Sequence, residues 1–464
     1  MRVEGLGLRE GKGSLSQTRL LLESDIIERA EGASLVLGTA RKDSRSPLFG
    51  EDRPWEPRFD NLYPNVIFDE TDGVYKLWYN PFVVDERVTN MPVELRKSVG
   101  YVQAKGRRES GLCYATSTDG IVWHKPELGL VEFDGSKRNN LVMRMIHGPG
   151  VFKDLRDPDP ARRYKLFGVD ENTKSMAVAF SSNGLHWSPL IQCPRIEAQG
   201  DTHNNALWDD GSGKYVGITR LWIDRQRIVG RTDSADFIDW TKAEEVLRGD
   251  PENQTYAMPV FRYANVFLGL VMILRADQTV DCELAWSRDT KTWERVCPGT
   301  PLIPRGPDGA CDAGCIYAAA YPVVREDGIR LYYLGSDDTH LSWRKGYLCL
   351  AHLRPDGFAG MHTERSSQPG VIVTKPLKLD GSALEVNVDA SKGECLVEIL
   401  DSHEEPIPAF SRAEARPLRR IDGAHLRAAW NGKRDLSSLA GRDIRLKFHL
   451  RNACLYAFRF TQAD

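Results

Sequence analysis

A short pattern recurs four times along the chain: a strand-like run, a polar turn around Asp or Asn, and then Trp. The four copies are YATSTDGIVW (114–123), AFSSNGLHW (179–187), GRTDSADFIDW (230–240) and AWSRDTKTW (285–293). A fifth copy, AHLRPDGF (351–358), ends in Phe. The closing aromatic residues are therefore 64, 53, 53 and 65 positions apart. Such a period fits one supersecondary unit of a few strands, so the chain is built from repeated units.

Two further strand-like runs precede the pattern in each period. The pairs are LYPNVIF with VYKLWYN, GPGVFKD with RRYKLFGV, HNNALWDD with KYVGITR, YAMPVFRY with VFLGLVMIL, and IYAAAYPVV with GIRLYYLGS. Turn residues such as Asp72-Gly73 and Asp327-Gly328 separate most pairs, as hairpins require. Repeated antiparallel units form a β-propeller when each blade buries its faces against its neighbours. We predict an all-β fold in which residues 59–365 form a five-bladed β-propeller.

The pattern changes after ERSSQPG (364–370), a composition typical of a linker. Beyond it, DIRLKFHL (443–450) alternates apolar and polar residues, which indicates a strand with one buried and one wet face. We therefore expect residues 366–464 to form a small β-sandwich domain. Residues 1–58 are expected to form an N-terminal extension that braces the propeller.

Charge and hydropathy limit the class of protein. The chain has 62 basic and 65 acidic residues and no basic patch interleaved with aromatic residues, which argues against a nucleic-acid partner. Its first twenty residues lack the apolar core of a signal peptide, and no later run approaches the roughly twenty apolar residues of a membrane span. We expect a cytoplasmic protein without a membrane partner, or a secreted one if a leader was removed. The oligomeric state is left open.

The nine cysteines are scattered along the chain. Cys311 and Cys315 stand four apart near Asp308 and Asp312, which makes a metal site conceivable. No second thiol pair or nearby histidine completes a zinc set, so we predict neither a metal nor a cofactor.

Propeller geometry predicts where the functional residues meet. The innermost strands of all blades begin at one face, so the residues that introduce them converge on one axial pocket. In the first blade these residues are Arg58, Asp60 and Asn61. The other blades contribute His147, Asp201, His203, Asn204, Glu252, Tyr256 and Asp312. Arg220, which ends the second strand of blade three, should rim the pocket, and Trp55 is close enough to Asp60 to wall it.

Four of the five blades thus bring a carboxylate towards one place. Like charges gathered in a low-dielectric funnel raise one another's pKa, as in many catalytic sites. The alternative for each residue is a turn or a strand cap. The repeated tryptophans Trp123, Trp187, Trp240 and Trp293 are interpreted as residues that pack between blades.

The combination of a five-bladed propeller, axial carboxylates, turns such as STDGIVW and a trailing β-sandwich resembles the glycoside hydrolases of families 32 and 43 and their relatives. In family 32 the first blade carries a nucleophilic aspartate, and the matching position here is Asp60 in FDNLYP, although the order Asn-Asp-Pro is not kept. The triplet Arg156-Asp157-Pro158 repeats another family motif, but it follows the strand GVFKD and so belongs to the far hairpin.

The resemblance implies a glycosidase that cleaves oligo- or polysaccharides, with a furanoside favoured, through a pair of carboxyl groups. We assign Asp60 as nucleophile or base and Glu252 as acid, while Asp201 and Asp312 tune charge or hold hydroxyl groups. The predicted substrate-binding residues are Asn61, Arg58, His147, His203, Asn204, Tyr256, Arg220 and Trp55.

Two other functions share this fold. A carbohydrate-binding propeller would bind sugar without turnover, because fold does not fix function. A polysaccharide lyase would oppose basic or His and Tyr groups to the substrate carboxylate, and an acid-rich axis argues against it. The insertion 81–110 is expected to be a lid or subsite wall, or else a solvated loop. The sugar, its linkage and the stereochemical course stay open.

Overall fold

The structure is a computed structural model that describes residues 18–22, 26–363 and 369–462. The described chain is built almost wholly of β-strands, so the all-β class is confirmed. Its two α-helices are short, Glu86–Thr89 and Val93–Arg96, and four 3-10 turns cover Pro160–Arg162, Pro194–Ile196, Pro408–Phe410 and Ser437–Leu439. None of the helices in the described ranges is long and apolar enough to cross a bilayer. Most of the predicted linker, residues 364–368, lies outside the described residues.

Within the described residues, five short strands come before the first repeat. They are β1 (Thr18–Leu20), β2 (Ile27–Glu31), β3 (Ser34–Leu37), β4 (Arg41–Lys42) and β5 (Phe49–Gly50).

Five antiparallel units follow, and the predicted strand pairs open each of them. Unit one contains β6 (Asn65–Asp69), β7 (Val74–Tyr79), β8 (Phe82–Asp85), β9 (Arg108–Ser117) and β10 (Leu141–Arg144). Unit two contains β11 (Ile146–Lys153), β12 (Tyr164–Asp170), β13 (Ser175–Ser181) and β14 (Ile191–Gln192). Unit three contains β15 (Asn205–Asp209), β16 (Lys214–Ile223), β17 (Gln226–Ser234) and β18 (Glu244–Arg248). Unit four contains β19 (Asn253–Ala257), β20 (Val260–Tyr263), β21 (Val266–Arg275), β22 (Val280–Ser287) and β23 (Glu294–Val296). Unit five contains β24 (Cys315–Ala318), β25 (Val323–Arg325), β26 (Gly328–Ser336) and β27 (Gly346–Leu353).

Hydrogen bonds join consecutive units near the axis. Asn65 Oδ1 accepts the N–H of Val151 at 2.9 Å, which ties unit one to unit two. Asn205 Oδ1 accepts the N–H of Val260 at 2.8 Å, which ties unit three to unit four. The N–H of Ala320 in unit five donates to the carbonyl of Pro64 at 2.9 Å. The last unit therefore contacts the first, while the five-bladed arrangement stays a prediction.

In all four Trp turns an Asp or Asn side chain accepts two backbone N–H groups, and in the last three the indole Nε1 also donates to a turn carbonyl, whereas Trp123 Nε1 is buried without a partner among the described residues. In the third copy, Asp236 Oδ1 accepts the N–H groups of Ile238 and Asp239 at 2.9 Å, and Trp240 Nε1 donates to the carbonyl of Phe237 at 3.2 Å. Phe237 has φ +68°, the left-handed backbone that the tight turn requires. The indole of Trp240 is 2% exposed and packs on the ring of Phe167 at 4.8 Å. This tryptophan fills the gap between units two and three.

Nine C-terminal strands join β1, β2 and β3 in two six-stranded sheets. They are β28 (Ala359–His362), β29 (Gly370–Thr374), β30 (Leu377–Lys378), β31 (Ala383–Asp389), β32 (Glu394–Leu400), β33 (Leu418–Arg419), β34 (Asp422–Arg427), β35 (Asp443–Arg451) and β36 (Cys454–Thr461). One sheet has the order β3-β28-β36-β31-β34, with β1 also paired to β36, and the other has the order β2-β29-β35-β32-β33, with β30 also paired to β35. Alternate residues of β35, from Ile444 to Leu450, are fully buried between them, as the period-two pattern predicted. His449 is buried as well, because its Nε2 lies 3.0 Å from Glu398 Oε2.

The N-terminal segment differs from a simple brace on the propeller. Strands β1, β2 and β3 pair with β36, β29 and β28 in the two C-terminal sheets, whereas β4 and β5 pair with β27 in unit five. Strand β28 also belongs to a C-terminal sheet, although it precedes the predicted boundary at residue 365. The predicted domain boundaries at 58/59 and 365/366 stay a prediction. Pairing with strands far along the chain decides which sheets the N-terminal strands join.

Candidate functional site

A cavity of about 650 Å³ opens at the end of the axis where the innermost strands begin. Of the predicted site residues, Asp60, His147, Asp201 and Tyr256 line it. The remaining lining residues are Phe82, Arg87, Tyr101, Val102, Gly106, Arg108, Val169, Glu171, Lys174, Gln199, His340 and Leu341. Several blades thus contribute polar groups to one concave site, which is the usual form of a small-molecule site.

Asp60 is held in a strained turn. It has φ +53°, and Leu62 and Tyr63, two and three residues on, have φ +56° and +43°. Such left-handed residues other than Gly each cost about 1–3 kcal/mol and are often found at functional sites. The turn is fixed by the N–H of Leu62, which donates to the carbonyl of Phe59 at 2.8 Å, and by the N–H of Asn80, which donates to the carbonyl of Leu62 at 2.6 Å.

Two buried guanidinium groups flank the Asp60 carboxylate. Arg344 Nη2 lies 3.0 Å from Asp60 Oδ1, and Arg58 Nε lies 3.4 Å from the same atom. Both arginines are almost fully buried. Burial alone would raise the pKa of Asp60, but the charges of Arg344 and Arg58 lower it to about 2. Asp60 is therefore ionised at neutral pH, contrary to the raised pKa we expected for crowded axial carboxylates.

Asp201 is paired in the same manner. Its Oδ1 lies 3.0 Å from His147 Nε2, and its Oδ2 forms an ion pair with Arg220, whose side chain is 1% exposed. Desolvation within the cavity opposes ionisation, yet the charge of Arg220 and the hydrogen bond from His147 hold the pKa of Asp201 below its usual value. Arg220 thus supports the cavity from behind Asp201, where sequence reasoning placed it at the rim.

A chain of hydrogen bonds continues from Asp201 to a second carboxylate. His147 Nδ1 lies 3.1 Å from Ser110 Oγ, and Ser110 Oγ lies 3.0 Å from Glu171 Oε1. The N–H of Ser110 donates to Glu171 Oε2 at 2.9 Å. The series Asp201, His147, Ser110, Glu171 therefore runs along one side of the cavity. No cation lies within ion-pair distance of the Glu171 carboxylate in the described part of the chain.

Three predicted binding residues lie in the core beneath the cavity and do not line it. Asn61 Nδ2 donates to the hydroxyls of Tyr63 and Tyr256 at 2.7 and 2.8 Å. Asn204 Nδ2 donates to the carbonyl of Gly200 at 2.8 Å. His203 is 1% exposed, and burial lowers its pKa to about 3. Their polar groups position the neighbouring backbone and tyrosines, which is the structural role weighed as the alternative.

Three other predicted residues lie apart from the cavity lining. Glu252 is an exposed residue on the segment before β19, so we no longer assign the acid to it. Asp312 is buried, with Lys42 Nζ at 2.5 Å and the hydroxyl of Tyr333 at 2.9 Å. Trp55 is half-buried and donates through Nε1 to Asn140 Oδ1 at 2.7 Å. Each of these side chains is engaged elsewhere, or faces solvent.

The 81–110 insertion forms one wall of the cavity. It contributes Phe82, Arg87, Tyr101 and Arg108 among other lining residues. The Tyr101 hydroxyl donates to buried Asp85 at 2.8 Å, and the guanidinium of Arg58 lies 3.7 Å from the centre of the Tyr101 ring. The insertion is thus packed onto the floor of the site, as a subsite wall would be.

Sequence reasoning missed several residues of the site. His340 and Arg344 come from the loop between β26 and β27, and Glu171 comes from the turn after β12. Each of these segments follows the second strand of its unit. Because second strands return to the face of the cavity, the polar residues after them could have been predicted from the sequence. Arg108 offered no such signal, since it ends a long insertion.

The cysteines and acids around residue 311 do not gather as a metal set. Cys311 Sγ lies 3.9 Å from Cys349 Sγ. Within the described ranges, no three His, Cys, Asp or Glu side chains are grouped so that they could hold a metal ion.

No family model matches the sequence, and no curated protein matches it. Solved structures similar to the chain include an N-acetylgalactosamine deacetylase from F. plautii, at 16% identity over 68% of this chain and 95% of that one, with a TM-score of 0.46. An α-L-arabinofuranosidase from Podospora anserina is 15% identical over 69% of this chain and 97% of that one, with a TM-score of 0.45. A β-1,2-mannobiose phosphorylase from Listeria innocua is 14% identical over 68% and 96%, with a TM-score of 0.48.

Proposed function

We propose that the protein is a glycosidase that binds a carbohydrate in the axial cavity, with Asp60 as nucleophile or base. The placement of Asp60 carries this proposal: a fixed carboxylate, partly exposed to the cavity and held ionised by Arg344 and Arg58. An ionised carboxylate can attack an anomeric carbon or take a proton from water. Both steps require it to be free of its own proton.

Glu171 replaces Glu252 as the proposed proton donor. Glycosidic cleavage needs a carboxylic acid that protonates the leaving oxygen. Asp60 and Asp201 are held ionised by guanidinium groups, whereas Glu171 accepts hydrogen bonds from Ser110 alone among the described partners. It is thus the cavity carboxyl group that no described cation holds, and this geometry is the ground for proposing it as the proton donor.

The rest of the cavity suits a ligand rich in hydroxyl groups. Tyr256, Gln199 and His340 supply aromatic surface, an amide and an imidazole. His340 Nδ1 lies 2.8 Å from the hydroxyl of Tyr317, and burial lowers the pKa of His340 to about 3. The ring is therefore neutral at pH 7, so it can accept or donate a hydrogen bond to a sugar hydroxyl without adding charge.

Sugar release from a panel of furanoside and pyranoside oligosaccharides tests the proposal. We expect Asp60→Asn to lower kcat by about 10²-fold or more, on the scale of general acid–base contributions. Glu171→Gln should cause a similar loss on natural linkages but a much smaller one on nitrophenyl glycosides, because that leaving group needs no proton. Glu252→Gln is the control and should keep its activity.

Sugar binding without release from any substrate would contradict the proposal and favour the carbohydrate-binding propeller. An equal loss of activity in Glu252→Gln would identify Glu252 as the proton donor, as predicted from the sequence.

A further inference from the structure

We propose that the wall formed by the 81–110 insertion is an oxyanion subsite. Under the proposed function, the bound carbohydrate carries a carboxylate or reacts with a free phosphate. The identity of the sugar rests on that function. Anion binding itself does not depend on that function.

Two guanidinium groups of this wall carry the inference. Arg87 and Arg108 line the cavity, and neither has a carboxylate within ion-pair distance among the described residues. The guanidinium of Arg108 lies 4.9 Å from the ring centre of Phe82, and that of Arg87 lies 5.3 Å from the ring centre of Tyr101. The Nε of Arg87 is buried without a hydrogen-bond partner. Aromatic contacts fix a guanidinium group while leaving N–H groups for a ligand.

Neighbouring carboxylates are already engaged. Glu109 receives Arg144 Nε at 2.5 Å, and Arg107 lies 3.5 Å from Glu109 and 3.7 Å from Glu86. Buried Asp85 accepts the Tyr101 hydroxyl and the backbone N–H of Arg87. None of these acids is within ion-pair distance of the Arg87 or Arg108 guanidinium group.

The carboxylates across the cavity do not cancel this charge. Asp60 lies between two arginines, and Asp201 is matched by Arg220. Glu171 is left as one carboxylate without a cation among the described residues, against the two guanidinium groups of Arg87 and Arg108, so the cavity that we expected to be acid-rich carries an excess of positive charge. The reason given against an acidic polysaccharide therefore no longer holds. A cleft of one sign of charge concentrates the opposite ion, and the guanidinium fork matches carboxylate or phosphate oxygens.

Calorimetric titration of the full chain tests the subsite with three probes: a galacturonate trisaccharide, the matching neutral galactose trisaccharide, and inorganic phosphate. We expect at least one anionic probe to bind tenfold or more tightly than the neutral trisaccharide, less so at high salt. Arg108→Ala should abolish this preference. Arg107→Ala is the matched control, since its side chain is paired with Glu86 and Glu109, and it should keep the preference.

The three probes distinguish two sources of the anion, the sugar itself and a phosphate co-substrate. Preference for the uronate locates the charge on the sugar, whereas a sugar phosphate formed from the neutral substrate with added phosphate locates it on a co-substrate. Equal binding of all probes, or a preference that survives Arg108→Ala, would overturn the subsite while leaving the glycosidase proposal intact. Anion binding that Arg108→Ala abolishes, with no hydrolysis of any sugar, would uphold the subsite and contradict the glycosidase. An unsaturated uronate product would do the same and indicate a lyase.

Discussion

The carboxylates that line the cavity differ in the groups that hold them. Asp60 and Asp201 face guanidinium groups, whereas Glu171 faces the hydroxyl of Ser110. Because Ser110 also contacts His147 Nδ1, two hydrogen-bond arrangements fit the same atoms. In one, His147 is protonated and Glu171 is ionised; in the other, Glu171 carries the proton and donates to Ser110. The arrangements differ by the shift of protons through one hydroxyl group.

Ser110→Ala should therefore slow proton delivery without removing Glu171. The N–H of residue 110 remains to hold Glu171 Oε2, so the carboxylate stays in place. We expect kcat on natural linkages to fall about tenfold, with KM within twofold and little change on nitrophenyl glycosides. The control is Ser188→Ala, a serine that does not line the cavity. Steady-state kinetics across pH measure the effect, and an unchanged pH profile would contradict the role of the hydroxyl.

At the scale of elements, the 81–110 insertion is anchored across the mouth of the site. Trp343, in the loop between β26 and β27, donates through Nε1 to the carbonyl of Val99 at 2.6 Å. Its ring lies 5.2 Å from that of Tyr101 and 5.3 Å from the guanidinium of Arg96. A loop of unit five thereby holds the wall that unit one contributes.

Trp343→Ala should release this wall. We expect faster tryptic cleavage within residues 96–107 and a severalfold higher KM, because the wall no longer lies ordered over the floor. Limited proteolysis followed by mass spectrometry measures the first effect. Trp187→Ala, which removes a half-buried tryptophan from unit two, should leave cleavage of the insertion unchanged. Equal cleavage of Trp343→Ala and the unaltered protein would show that the contact does not order the insertion.

At the scale of the whole molecule, the N-terminal segment links the repeated units to the two C-terminal sheets. Strands β4 and β5 complete the edge of unit five, while β1 to β3 extend both C-terminal sheets. Buried polar groups join units one and three beneath the cavity. His203 Nε2 lies 3.4 Å from Asn65 Oδ1, and the His203 ring lies 5.3 Å from that of Tyr63. A charge placed on His203 would therefore fall at the packed axis of the molecule.

Acid should weaken the fold through this histidine. Burial lowers the pKa of His203 to about 3, from 6.5 in the unfolded chain. Between these values the unfolded state binds the proton and the native state does not, so the free energy of unfolding falls as the pH drops. The loss is about 1.4 kcal/mol per pH unit for one such group. Asp60, with a pKa of about 2, changes the pH dependence of unfolding only below about pH 4, so its effect falls in a separate pH range.

Urea unfolding at pH 6.5, 5.5 and 4.5 measures this slope. In His203→Gln the free energy of unfolding should depend less steeply on pH, by up to one proton per molecule, because the glutamine side chain stays neutral. Identical slopes in the two proteins would show that His203 takes up its proton in the folded state.

The sequence by itself determined the strands and the face on which the site lies. Strand alternation and Asp-Gly turns act over a few residues, so the β-strand pairs and the buried row from Ile444 to Leu450 could be predicted. The rule that innermost strands begin at one face placed Asp60, His147, Asp201 and Tyr256 in the cavity lining. Only the tertiary structure decided which polar residues turn inward: Asn61 and His203 enter the core, while Glu252 faces solvent. It also brought Arg344 to Asp60 and Arg108 to the cavity wall, because ion pairs and strand partners far apart in the chain leave no local pattern.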